Sequence, residues 1–159
     1  MKGGTGLEAA SSSGARGMTI AAVVSRFNPD ITGGLLEGAR AAFLSAGGRE
    51  ADLRVTRVPG AFELPQAVQK IAGEGGVDGI LTLGCLIKGE TLHFEVLAYG
   101  VTQTLTGLST HLNVPLAFGL LTALDLEQAV ERSAPGENNR GAEVMRSLIE
   151  MISVNSGRT

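Results

Sequence analysis

The residues best suited to chemistry lie together in the segment from Gly84 to His93, which follows an apolar run. The pattern predicts a helix beginning near Thr91, and the free backbone N–H groups at a helix start favour anions. Gly89 allows close backbone approach, and the Thr91 hydroxyl can cap the helix or donate a hydrogen bond. Glu90 disfavours a polyphosphate nearby. The segment therefore predicts a site for a single phosphate, with a helix cap that holds no ligand as the alternative.

His93 is the candidate for proton transfer, since it falls in the first turn of that predicted helix. An imidazole can take and return protons near neutral pH, which is the chemistry of a general acid or base. The alternative is a solvent-facing or packing histidine, a description that fits His111 well. Cys85 stands in an apolar run, which favours packing over nucleophilic chemistry. No His, Cys and carboxylate cluster has the spacing of metal ligands, so we expect no metal.

Two of the five phenylalanines, Phe27 and Phe62, fall in predicted loops beside glycine or proline. Two aromatic rings at one rim form a stacking platform for a flat heterocycle, whereas the alternative for each ring is a plug in the core.

Arg132 and Arg140 flank the turn-rich stretch 133–139. We expect these arginines to matter only if that stretch meets a ligand, in this subunit or in a neighbour.

The elements that must position these residues are predicted from apolar runs bounded by turn residues. Four short runs have the unalternated composition of buried parallel strands: Thr19–Val24, Leu53–Val58, Gly79–Leu83 and Leu116–Leu121. Segments with helical spacing of apolar residues lie between and after them. This order indicates an α/β fold with a four-stranded parallel sheet between layers of helices. Right-handed crossovers then bring the carboxyl ends of all the strands to one edge, where ligands bind.

Length and composition bound the remaining possibilities. The chain has 159 residues, 43% of them hydrophobic, which suits one domain. Residues 1–17 are rich in glycine and serine and are predicted to be a flexible tail, so the domain is expected over residues 18–159. The net charge of −3 lacks the excess of basic residues that is typical of proteins that bind nucleic acid or an anionic membrane. The tail lacks the apolar core of a secretory signal, and we therefore expect a cytoplasmic protein.

Five ordered motifs, spread from about Ile20 to Val154, resemble the 6,7-dimethyl-8-ribityllumazine synthase family of riboflavin biosynthesis. They are Arg26-Phe27-Asn28, the segment 58–65 (VPGAFELP), the segment 84–95 (GCLIKGETLHFE), the segment 114–122 (VPLAFGLLT) and the segment 127–132 (EQAVER). The resemblance implies a flavodoxin-like three-layer sandwich. It also implies a transferase that joins 5-amino-6-(D-ribitylamino)uracil to 3,4-dihydroxy-2-butanone 4-phosphate. The products are 6,7-dimethyl-8-ribityllumazine, phosphate and water, and no cofactor is needed.

The resemblance also implies a role for each matching residue. It implies that the uracil ring stacks on Phe27 and contacts Phe62 and Ala61, and that Glu63 binds the ribityl hydroxyls. It further implies that the backbone of Cys85, Leu86 and Ile87 contacts the edge of the uracil. Phe118 of a neighbouring subunit then closes the site. For the phosphate it implies the backbone N–H groups of Glu90 and Thr91 and the guanidinium of a neighbour's Arg132. His93 is then the proton shuttle, and Lys88 and Arg140 are supporting cations.

A shared site requires a homo-oligomer, and the resemblance implies a pentamer or an icosahedral shell of twelve pentamers. Two other functions are compatible with the same fold. One is a non-catalytic shell that binds flavin or lumazine, and the other is an enzyme that dismutates two lumazines. Neither of these needs a site for phosphate elimination, so the phosphate segment distinguishes them from the synthase.

Overall fold

Parallel strands alternate with helices along the chain, as the sequence predicts. The computed structural model describes residues 14–157. The strands are β1 (Ile20–Ser25), β2 (Leu53–Val58), β3 (Gly79–Ile87) and β4 (Leu116–Ala123). The α-helices are α1 (Pro29–Ser45), α2 (Leu64–Glu74), α3 (His93–Ser109), α4 (Leu126–Ser133) and α5 (Arg140–Asn155).

The four strands form one parallel sheet in the order β2-β1-β3-β4. Alternate residues of β1 enter different cores: Ile20, Ala22 and Val24 pack with α1 and α5, whereas Ala21 and Val23 pack with α2 and α3. Because both faces of the sheet are covered, its central strands β1 and β3 are apolar except for the buried Ser25 and Thr82. The architecture is the predicted three-layer α/β sandwich with a four-stranded parallel sheet.

Several element boundaries differ from the prediction. β3 continues to Ile87 instead of ending at Leu83, and β4 continues to Ala123 instead of Leu121. The two extensions pair with each other, since Ile87 is the partner of Ala123. Helix α3 begins at His93, two residues later than the predicted start near Thr91. Helix α5 begins at Arg140 because the side chain of Asn139 accepts a hydrogen bond from the N–H of Ala142.

The start of the described chain packs against the end of α1. Residues 14–17, which belong to the predicted tail, form a turn in which Ala15 is fully buried. The N–H of Ala15 donates to the carbonyl of Ala46 over 2.9 Å. Residues 1–13 of the predicted tail lie outside the described residues.

Candidate functional site

A cavity of about 600 Å³ opens at the carboxyl ends of β1, β2 and β3. Three segments that are distant in the sequence line it, together with the first turn of α3. The lining residues with a predicted role are Phe27, Ala61, Phe62, Glu63, Cys85, Leu86, Ile87, Thr91 and His93. The parallel order of the strands produces this convergence, because each strand delivers its following loop to the same edge of the sheet.

Phe27 and Phe62, both predicted to lie in loops, line this cavity and are not core residues. Phe27 is 68% exposed and Phe62 is 72% exposed. An apolar ring that is left so open gains little from burial, and at a cavity it offers its face to a planar ligand. By contrast, Phe43 on α1 is fully buried and fills the core. The rings of Phe27 and Phe62 therefore have the exposure that a stacking platform needs.

Asn28 also lines the cavity, and it is not among the predicted site residues. Its backbone is left-handed, with φ 58° and ψ 61°, and it is the one non-glycine residue with positive φ in residues 14–157. Its amide nitrogen Nδ2 donates to the carbonyl of Cys85 over 3.2 Å. The sequence signal was an asparagine at a helix start, since asparagine tolerates this conformation better than most residues.

Glu63 lies in a short 3₁₀ turn, Ala61–Glu63, between β2 and α2. Its Oε2 atom accepts a hydrogen bond from the N–H of Gly60 over 3.0 Å, which holds the carboxylate at the cavity. An ionised carboxylate accepts several hydrogen bonds, so Glu63 retains capacity for donors such as hydroxyl groups.

Cys85, Leu86 and Ile87 belong to the end of β3 and not to a loop, which corrects the predicted boundary. The pairing of β1 with β3 stops at Val24 and Leu83, while β3 continues for four more residues beside β4. Residues 84–87 of β3 are not paired with β1, and the cavity lies beside residues 85–87. Burial raises the pKa of the Cys85 thiol to about 11. The thiol is therefore protonated at neutral pH, and a packing role fits it better than a nucleophilic one.

The predicted phosphate segment connects β3 to α3. Thr91 Oγ1 accepts a hydrogen bond from the N–H of His93 over 3.4 Å. The N-cap residue of α3 is Leu92, and among the described residues no side chain caps this helix. His93 is exposed and lies at the first position of α3. Glu90 is exposed and does not line the cavity, whereas Gly89 and Thr91 do. The helix start and the imidazole thus open on the same cavity as the aromatic rings.

Lys88, the predicted cation of this segment, forms an ion pair within the chain. Its Nζ lies 3.5 Å from Oε1 of Glu95, on the first turn of α3. The other carboxylate oxygen of Glu95 is buried and has no hydrogen-bond partner among residues 14–157. Lys88 therefore already has a carboxylate beside it before any ligand binds.

The remaining predicted residues line a second cavity, of about 560 Å³, along β4 and α4. It contains Phe118, Arg132 and Arg140 and shares no lining residue with the first cavity. Arg140 is paired with Glu143 over 2.7 Å. Arg132 has no carboxylate within 4.0 Å in the part of the chain that the structure describes. In one subunit, Arg132 and Phe118 therefore belong to a different surface from His93 and Phe27.

Residues 14–157 contain no group of three or more His, Cys, Asp or Glu side chains that could hold a metal ion. None of their helices combines the length and the apolar character needed to cross a membrane.

A comparison with protein families agrees with the motifs. The family model of 6,7-dimethyl-8-ribityllumazine synthase matches residues 17–156. The match covers all of the elements described above, from β1 to α5. Proteins of this family are transferases of riboflavin biosynthesis.

Proposed function

The chain belongs to the 6,7-dimethyl-8-ribityllumazine synthase family, and we propose that it catalyses the formation of that lumazine itself. In this proposal 5-amino-6-(D-ribitylamino)uracil and 3,4-dihydroxy-2-butanone 4-phosphate are its two substrates. The observation that carries the proposal is the first cavity, which joins two open aromatic rings, a carboxylate, a helix start and an imidazole. These are the groups needed to hold a flat ring, a polyol chain and a phosphate and to move protons between them.

The uracil ring is proposed to stack on Phe27, with Phe62 and Ala61 closing the same wall. The exposure of both phenyl rings supports this position, because stacking on a bound heterocycle would bury them. The ribityl hydroxyls donate to Glu63, whose carboxylate is already held by Gly60. The edge of the uracil meets the backbone of Cys85, Leu86 and Ile87, where β3 has lost its β1 neighbour.

The phosphate is proposed to bind at the start of α3, on the backbone N–H groups of Glu90 and Thr91. The side chain of Glu90 is exposed. In this proposal its carboxylate therefore points away from these N–H groups and does not compete with the phosphate for them. Lys88 and Arg140 support the local charge only weakly, since each is paired with a glutamate. The main cation in the proposal is Arg132 of a neighbouring subunit.

The reaction proceeds without a cofactor in this proposal. The 5-amino group of the uracil attacks the ketone, and water leaves as the imine forms. Phosphate then departs by elimination, which also needs loss of a carbon-bound proton. The enol formed by this elimination tautomerises to a ketone. The ribitylamino nitrogen attacks that new carbonyl, and a second water leaves as the ring closes. His93, next to the phosphate segment, takes and returns the protons of these steps.

The site is proposed to be shared between subunits of a homo-oligomer. Phe118 and Arg132 line a cavity that is separate from His93 within one chain, which supports their supply by a neighbour. A closed ring of subunits, such as a pentamer, repeats this heterologous contact at every interface. Sixty-subunit shells built from such pentamers are the larger form of the same assembly, and a cytoplasmic location completes the proposal.

The test is to mix the purified protein with both substrates and to record the absorbance and fluorescence of the lumazine. We expect turnover that inorganic phosphate inhibits by competition with the four-carbon phosphate. A folded protein that binds lumazine tightly but forms none would support the non-catalytic shell instead. Turnover of lumazine alone, without inhibition by phosphate, would support the dismutating enzyme.

A further inference from the structure

The ring of Phe27 is 68% exposed, so side-chain packing does not hold it in place. Its position is set by its backbone, which lies between two anchors. On one side, the N–H of Arg26 donates to the carbonyl of Val58 over 2.8 Å, at the end of β2. On the other side, Nδ2 of Asn28 donates to the carbonyl of Cys85 over 3.2 Å, near the end of β3.

Only the second anchor depends on the identity of a side chain. The bond from Arg26 uses a backbone N–H that every residue except proline supplies. The bond from Asn28 needs an amide donor and also the left-handed backbone that aims it at β3. An asparagine meets both requirements, whereas most other residues in this conformation are strained.

We propose that Asn28 is a positioning residue for the uracil substrate, and this rests on the proposed function. Beyond Leu83, β3 lacks a β1 partner, and the Asn28 amide takes the place of that strand at the Cys85 carbonyl. One hydrogen bond thereby fixes the distance between the aromatic platform at Phe27 and the backbone edge at 85–87. A planar substrate ring that stacks on Phe27 and also bonds to the backbone at 85–87 needs the distance between these two surfaces to be constant.

The backbone carbonyl of Asn28 helps to start helix α1, whereas the side-chain amide bonds to Cys85. The two groups can therefore be tested separately. The carbonyl accepts hydrogen bonds from the N–H groups of Ile31 and Thr32 and from the Thr32 hydroxyl, which lies 3.3 Å away. These contacts start helix α1 and do not involve β3. Substitutions of the Asn28 side chain therefore test ring positioning, while Thr32→Val tests the start of the helix.

The experiment compares Asn28→Gly, Asn28→Asp and Asn28→Ala with wild type and with Thr32→Val. Glycine keeps the left-handed backbone without the donor, and aspartate replaces the donor by an acceptor that faces the Cys85 carbonyl. For both we expect the KM of the uracil substrate and the Kd of added 6,7-dimethyl-8-ribityllumazine to rise about three- to tenfold. The KM of the four-carbon phosphate stays within about twofold of wild type, because the start of α3 is unchanged.

Thermal unfolding separates positioning from folding. We expect Asn28→Ala to unfold at a lower temperature than Asn28→Gly, because alanine strains the left-handed backbone. Thr32→Val should retain wild-type binding of the ring.

A well-folded Asn28→Gly protein with wild-type KM and Kd values for the ring would overturn the inference. Equal rises in both KM values would also overturn it. A wild-type protein that forms no lumazine contradicts the proposed function instead. The Kd of added lumazine then still decides the role of Asn28, because equal Kd values in Asn28→Gly and wild type overturn it.

Discussion

Lys88 and Glu95 form an ion pair across the loop that connects β3 to α3, with 3.5 Å between Nζ and Oε1. The pair lies in the segment proposed to hold the phosphate, and it places a carboxylate beside that segment's own cation. In the proposed function, a dianionic phosphate at this loop is therefore held chiefly by backbone N–H groups and by a cation from elsewhere. Arg132 fits that need, since no carboxylate lies within 4.0 Å of it among residues 14–157.

The Lys88–Glu95 pair predicts that removing the carboxylate strengthens anion binding. In Glu95→Gln the charge of Lys88 is no longer balanced, and we expect the inhibition constant of inorganic phosphate to fall about two- to fivefold. Glu74→Gln is the matched control, because Glu74 pairs with Lys70 over the same 3.5 Å on helix α2. Phosphate inhibition that is unchanged or weaker in Glu95→Gln would contradict this account of the loop.

The two histidines of the chain lie near opposite ends of α3 and should respond differently to substitution. His93 opens on the cavity, so His93→Ala should lower kcat about 100-fold, the usual loss for a proton-transfer group. His111 follows the helix, and its Nδ1 lies 2.8 Å from the carbonyl of Gly107. His111→Ala should retain the wild-type kcat. The measurement is initial rate of lumazine formation at saturating substrates, and similar losses in both variants would argue against proton transfer by His93.

The fold and most of the cavity lining could be predicted from the sequence because they depend on local patterns. Apolar runs bounded by turn residues gave the strands, and the residue that follows each strand must lie at the ligand edge of a parallel sheet. The end of β3 was predicted too early because Gly84 resembles a loop residue. In the structure it lies within the strand, where an added Cβ would come within 3.0 Å of Leu120 and 3.2 Å of Leu64. A close contact between distant elements leaves no periodic signal.

Asn28 could not be assigned for a related reason. It precedes Pro29, and the residue before a proline usually has an extended backbone. Its left-handed conformation accompanies a hydrogen bond to Cys85, which lies 57 residues away in the sequence. The pairing of Lys88 with Glu95 likewise has no signal in the sequence, since it depends on where α3 begins.

Burial of Cys85 predicts a specific dependence of stability on pH. The pKa of its thiol rises from 9.0 to about 11 on folding, so the folded state keeps its proton where the unfolded state loses it. The stabilisation is present below pH 9 and is lost as the pH rises toward 11. We expect the urea midpoint to fall more between about pH 7.5 and about pH 10.5 in wild type than in Cys85→Ala. Parallel declines in the two proteins would mean that the thiol makes no contribution.

The division of the predicted residues between two cavities makes a prediction about mixed assemblies. His93→Ala and Arg132→Ala should each be nearly inactive alone, because every site then lacks either the imidazole or the guanidinium. When the two variants are unfolded, mixed in equal amounts and refolded together, a site between unlike subunits can pair an intact His93 with an intact Arg132. Random association of two variants restores about a quarter of such shared sites. Lumazine formation near that fraction of the wild-type rate is therefore expected.

Refolding each variant separately and mixing afterwards is the control, and it should restore nothing unless subunits exchange. If co-refolded assemblies of normal size stay inactive, His93 and Arg132 act within one chain.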